Sequence, residues 1–155
     1  ARRGEMDERI RESRAFSERM RSASSMAERM KIMEERRVWQ RERAIADLRA
    51  QLAISEAEWA VIGPRLEKVY GLVHPLRQGD PSDEAEGTEV ERRSAALRRV
   101  LADEKADAEQ IKAGLTALRA AREEADRELA RARHALRQVL TLRQEAQLVL
   151  NGLLD

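Results

Sequence analysis

Residues 74–88 read His-Pro-Leu-Arg-Gln-Gly-Asp-Pro-Ser-Asp-Glu-Ala-Glu-Gly-Thr, and their reading decides the fold. Pro75, Gly79, Pro81 and Gly87 cluster here with the turn former Ser82, while Asp80, Asp83, Glu84 and Glu86 add negative charge. Proline removes a backbone donor and glycine prefers conformations a helix does not use, so 74–88 reads as one exposed acidic hairpin loop. Working outward, the rest of the chain is helix-compatible, although Pro64 sits inside a helical run. The sequence therefore predicts an all-α fold: two arms, about 5–72 and 89–152, folded back on one another. That is a long bent antiparallel helical hairpin or coiled coil, in a single elongated domain spanning 1–155.

Composition agrees. Of 155 residues 38% are charged and 3% aromatic, and the chain has no cysteine. Ala, Glu, Arg, Leu and Lys dominate, as in long helices and coiled coils. A formal charge of +1 argues against coating nucleic acid or anionic lipid through net charge alone. Without cysteine there is no disulfide, thiol nucleophile or thiolate metal site. No stretch approaches the roughly 20 apolar residues of a membrane-spanning helix. Ala1-Arg2-Arg3-Gly4-Glu5 shows no apolar segment of a signal peptide, and a start at Ala1 leaves the compartment open.

The second arm has the clearer periodicity. Leu97, Leu101, Glu104, Ala108, Ile111, Leu115, Leu118, Arg122, Ala125, Leu129, Ala132, Leu136 and Val139 alternate spacings of four and three. This is a coiled-coil seam, polar only at Glu104 and Arg122. A single helix over 89–139 would be roughly 75 Å long at about 1.5 Å per residue. Such a rod needs a partner, and the first arm is the obvious one. There Met6, Ile10, Phe16, Met20, Ala23, Ala27, Met30 and Met33 form a looser stripe, followed by Ile45, Leu48 and Leu52. Ser22, Ser24 and Ser25 weaken its middle, so this arm is helical when packed and prone to fray alone.

Two short motifs break the arms. Ser55 precedes Glu58 by three residues, and Thr141 precedes Gln144 by three. Both fit the capping box, in which the hydroxyl accepts from the third helical N–H and the longer side chain returns to the cap's own N–H. Ile54 and Trp59 add a hydrophobic staple at the first site. The expected order is four helices, 5–52, 55–72, 89–139 and 142–152, with the loop between the second and third.

The second box, Leu140-Thr141-Leu142-Arg143-Gln144, is also an LTxxQ motif, and Ile54-Ser55-Glu56-Ala57-Glu58 is a relaxed copy. A small helical chain with one motif before its loop and one near its C-terminal end resembles the Spy/CpxP family over roughly 45–152. The resemblance implies a periplasmic or cell-envelope stress protein, folded as a bent helical hairpin that dimerises into a cradle. Some members bind unfolded proteins without ATP, and their metal-sensing relatives use several His and carboxylate ligands. Carried over by residue, it rests on Leu140, Thr141 and Gln144, with Ile54, Ser55 and Glu58 as the weaker set.

Other candidate sites are few. His74 and His134 are the only imidazoles, and His134 lies among Arg131, Arg133 and Arg137, which oppose a bound cation. Met26, Met30 and Met33 share one helical face with Met20 nearby. That face suits packing within the hairpin, an adaptable apolar surface for client chains, or soft thioether binding of Cu(I). Trp39 is a candidate contact residue on the outer face. The Arg-rich late second arm is interleaved with Glu123, Glu124, Asp126 and Glu128, which makes it a salt-bridged solvated face. Leu148, Val149, Leu150, Leu153 and Leu154 form an apolar tail that fits either a dimer contact or a cover for the open end of the hairpin.

No glycine-rich phosphate loop, nucleophile elbow or Cys/His pairing appears, so the sequence predicts a protein that is not an enzyme. No cofactor and no metal site are expected. The partners expected are other proteins or the chain itself, as a homodimer or higher homo-oligomer, with neither nucleic acid nor a membrane span. Two functions fit: client or adaptor binding by a helical hairpin, and a structural coiled-coil scaffold.

Overall fold

The computed structural model describes residues 2–76 and 87–155, apart from the side chains of Arg2, Arg3 and Glu5. Most of the predicted hairpin loop, 77–86, lies outside the described residues. The rest is all-helical: α1 (Arg2–Ser22), α2 (Met26–Gln51), α3 (Glu56–Val73), α4 (Glu89–Ala102), α5 (Ala108–Arg137) and α6 (Leu142–Leu150). No strand occurs among the described residues. The chain divides into two compact units, Ala1–Arg43 and Ala44–Asp155.

Among the described residues six helices replace the four expected, because each long helix is interrupted once. The continuous helix over 5–52 breaks after Ser22. There the Ser25 hydroxyl accepts the Glu28 N–H at 3.1 Å, and the Glu28 carboxylate accepts the Ser24 N–H at 2.9 Å. These bonds satisfy N–H groups that a starting helix leaves without partners, so α2 begins afresh. The helix over 89–139 likewise breaks between Ala102 and Ala108. Asp103 accepts the Lys105 N–H, and Asp107 and Gln110 form a reciprocal box at 2.8 and 2.9 Å. Thr88 and Glu91 start α4 in the same way.

The second break overturns the uninterrupted rod. α4 packs against α5. At their crossing Gly114 lies against Leu97, whose Cδ1 would stand 2.9 Å from a Cβ added there. The single seam is consequently divided. Leu97, Leu118, Ala132 and Leu136 are buried, whereas Leu101, Glu104, Leu115, Arg122 and Ala125 are exposed.

In unit 1, α1 and α2 meet through long side chains. Phe16 and Trp39 pack with ring centroids 5.7 Å apart, Trp39 Nε1 donates to Glu12 at 2.9 Å, and Arg19 pairs with Glu35 at 2.5 Å. The pairs 12 with 39 and 19 with 35 run in opposite directions along the chain, so the helices are antiparallel.

Unit 2 holds the main core: Leu48, Leu52, Ile54, Ile62, Leu66, Val69, Ala132, Leu136, Leu148, Leu153 and Leu154. α3 packs on α5. Lys68 reaches Glu128 at 3.5 Å while residue 52 meets residue 144, which makes the direction antiparallel. α3 continues through Pro64 because Gly63 before it has no Cβ to clash with the proline ring, and the Trp59 ring fills that space.

The apolar tail faces two ways. Leu148, Leu153 and Leu154 enter the core, whereas Val149 and Leu150 face out. The turn after α6 is a Schellman motif: Leu153 N–H donates to Leu148 O, Gly152 N–H donates to Val149 O, and Gly152 adopts φ +72°. The same bonds end α2, from Ile54 to Arg49 and from Ala53 to Ala50, but the left-handed residue there is Ala53, with φ +51°.

Candidate functional site

The two motif copies become neighbours in unit 2. Both are completed capping boxes. Ser55 Oγ accepts the Glu58 N–H at 3.3 Å, and the Glu58 carboxylate accepts the Ser55 N–H at 2.8 Å. Thr141 Oγ1 accepts the Gln144 N–H at 3.3 Å, and Gln144 Oε1 accepts the Thr141 N–H at 2.9 Å. Gln144 Nε2 then donates across the junction to the Leu52 carbonyl at 3.4 Å. Gln144 is a polar side chain within the core, 6% exposed. Its amide therefore supplies both an acceptor for its own helix start and a donor for the end of α2, which a carboxylate cannot do.

Around this junction Ile54 is buried, and Leu140 and Trp59 pack against the same cluster. The Arg49 guanidinium lies 5.0 Å above the Trp59 ring and also pairs with Glu56. Hydrogen bonds from the Ser55 hydroxyl and then its N–H hold the Glu58 carboxyl below its ordinary range. Every group here is either satisfied or solvated. The junction locks two helix starts together, and its chemistry is structural.

Unit 1 is different. Met26 is 73% exposed and Met33 42% exposed on one face of α2, with Met30 half-buried between them and Met20 half-buried on α1. Met6, Ile10 and Val38 are also exposed. Trp39 is half-buried, held between Phe16 and Glu12, and so braces α1 against α2 rather than standing free. The Glu28 carboxyl at the start of this face is held low, chiefly by the Ser24 N–H and then by its hydroxyl.

His74 packs against Tyr70 with ring centroids 4.8 Å apart and the planes tilted by 54°, and His134 contacts Gln138. Among the described residues no three His, Asp or Glu side chains converge as a metal site requires. In late α5, Glu124 pairs within the helix with Arg127 at 2.8 Å and Arg131 at 2.9 Å, while Arg133 and Arg137 reach Asp155 and Arg137 also meets Glu145 at 3.3 Å. Arg127 and then Arg131 lower the Glu124 carboxyl. No helix among the described residues is long and apolar enough to cross a membrane.

Leu142, inside the second motif, is an exposed apolar residue that the sequence does not single out: it is 82% exposed, on the same helical face as Val149 and Leu150 of the apolar tail, and Leu150 is 87% exposed. The chain matches no protein-family model, no curated protein and no solved structure.

Proposed function

We propose that this protein is a non-enzymatic binder of other proteins, an envelope-stress chaperone or adaptor resembling the Spy/CpxP kind. One observation carries the reading. In unit 1 the described residues bury only Ala23 and Ile32 as apolar side chains, while Met6, Ile10, Met26, Met33 and Val38 stand exposed. A unit with so thin a core and so much apolar surface suits contact with chains of varied sequence. Methionine suits it further, being unbranched and polarizable. Residues 1–50 carry 14 basic and 10 acidic side chains, a positive surplus of four. Binding of this kind is weak and reversible and uses no nucleotide. The two motifs fit the same family, and a periplasmic or envelope location comes with it.

The second reading, a structural coiled-coil scaffold, draws on the alanine-rich seam and the length of both arms. The test is light scattering from a chemically denatured client diluted into equimolar protein without ATP. Slower aggregation, weakened by Met26→Ser with Met33→Ser, is the expected result. A protein without effect at stoichiometric levels overturns the proposal.

A further inference from the structure

All five methionines of the chain, Met6, Met20, Met26, Met30 and Met33, precede position 34, and residues 34–155 hold none. The buried core of unit 2 is leucine, isoleucine, valine and alanine. With no cysteine in the chain, every oxidisable sulfur lies in unit 1. Exposure then sorts the five. Met26, Met6 and Met33 stand 73%, 57% and 42% exposed, while Met20 and Met30 are half-buried.

We propose that Met26 and Met33 are a reversible modification site, at which hydrogen peroxide oxidises the two thioethers to sulfoxides and turns the apolar face of α2 polar. That this change releases clients rests on the function proposed above; the modification itself does not.

The chemistry needs no other group. The thioether sulfur donates an electron pair to one peroxide oxygen, an S–O bond forms and the O–O bond breaks. The departing hydroxide takes the hydroxyl proton from sulfur and leaves as water. Sulfur has lost two electrons and the peroxide has gained them. A flexible apolar side chain becomes a polar, chiral one, and sulfoxide reductases, one for each epimer, can restore it.

The structure confines the change to the surface. Met26 opens α2, and the bonds that start the helix run from the Glu28 N–H to the Ser25 hydroxyl and from the Ser24 N–H to the Glu28 carboxylate. Neither uses sulfur, so oxidation leaves the helix start intact. Arg29 is exposed three residues after Met26 and four before Met33, within reach of both new oxygens as a donor. Met20 and Met30 differ. Unit 1 buries only Ala23 and Ile32 as apolar side chains among its described residues, so oxidising the half-buried pair would loosen α1 from α2. Their partial burial puts that damage after the switch.

The experiment treats the full chain with graded hydrogen peroxide, maps sulfoxides by peptide mass spectrometry, and follows helicity and binding of the uncharged apolar dye Nile red. Met26 and Met33 should oxidise before Met20 and Met30, with helicity unchanged. Dye binding should fall to the level of the protein carrying Met26→Ser with Met33→Ser, and sulfoxide reductases should restore it. Met26→Leu with Met33→Leu keeps the face apolar but removes its sulfur, and should hold its dye through the same treatment although Met6 still oxidises. Oxidation of Met20 or Met30 ahead of the exposed pair overturns the proposal. So does a doubly oxidised face that keeps its dye, or a leucine variant that loses as much as the unsubstituted protein. A chain that slows no client aggregation before treatment defeats the proposed function alone, because mapping and dye binding still decide the modification site.

Discussion

Replacing Gln144 is the sharpest probe of the motif junction. Gln144→Ala removes the acceptor for the Thr141 N–H, which stands 2.9 Å away, and the donor to the Leu52 carbonyl at 3.4 Å. Losing one half of a capping box costs about 1 kcal/mol. Stranding the carbonyl of Leu52, a residue 4% exposed, costs about another 1 kcal/mol, the low end of the range because the bond is long. With some packing lost from the stem, the total is about 2–3 kcal/mol, a fall of roughly 6–9 °C in unfolding midpoint. Thr141→Ala leaves the cross-junction bond in place and should cost only about 1 kcal/mol. Gln144→Glu separates the two roles. It keeps the acceptor but turns a carboxylate toward a carbonyl, and burial raises that carboxyl's pKa. Its deficit relative to the unsubstituted protein should be large at pH 7 and shrink on acidification, as the protonated acid regains a donor. Thermal melts by circular dichroism across pH measure all three. A Gln144→Ala cost under 0.5 kcal/mol, or a Gln144→Glu deficit constant with pH, refutes the argument.

Three other outcomes follow from the same structure. Ala53 holds φ +51° where a helix end usually has glycine, so Ala53→Gly should stabilise by about 0.5–1 kcal/mol in urea unfolding. A Cβ at Gly63 would meet Trp59 ring atoms at 2.8, 3.0 and 3.1 Å ahead of Pro64, so Gly63→Ala should destabilise by about 1–2 kcal/mol. Gly114→Ala meets only a Leu97 methyl, and with about 1 kcal/mol of gained helix propensity it should be near neutral or better; the two variants ranking the other way would count against both packing accounts. Glu28, Glu58, Glu89 and Glu124 all sit below their ordinary value of 4.5 through hydrogen bonds to helix caps or arginines. Their contribution is present in full above that value and is lost as pH falls through the lowered native ones. The unfolding midpoint should therefore hold steady from pH 7 to about 5 and decline below about 4.5, and a midpoint rising in acid would contradict the assignment.

How much of this was legible in the sequence depends on the scale of the signal. Helix type was, because alanine, leucine and the charged residues leave no doubt about period. The starts of α3 and α6 were too, since Ser55–Glu58 and Thr141–Gln144 close on themselves within three residues and owe nothing to distant packing. The same rule applied to Ser25–Glu28, Thr88–Glu91 and Asp107–Gln110 marks the starts of α2, α4 and α5. At two of these, heptad continuity was allowed to override a local cap. Glu104, read as a polar gap in a seam, instead falls in the chain break. The adjacency of Gln144 to Leu52 depends on residues 92 positions apart and left no local trace. The methionine face was visible as a spacing, but its exposure was not. Trp39 shows why: a tryptophan on a helix surface and one bracing a neighbouring helix have the same sequence context.

If unit 1 holds non-native chains on its methionine face, as proposed, a bound client lies within reach of Met26. A photoactivatable side chain placed at Met26, with a matched probe at Glu124 on the solvated face of α5, tests it directly against an unfolding client. Strong cross-linking from position 26, little from 124, and loss of both once the client has refolded are expected. Equal labelling from the two positions, or none from position 26, would contradict it.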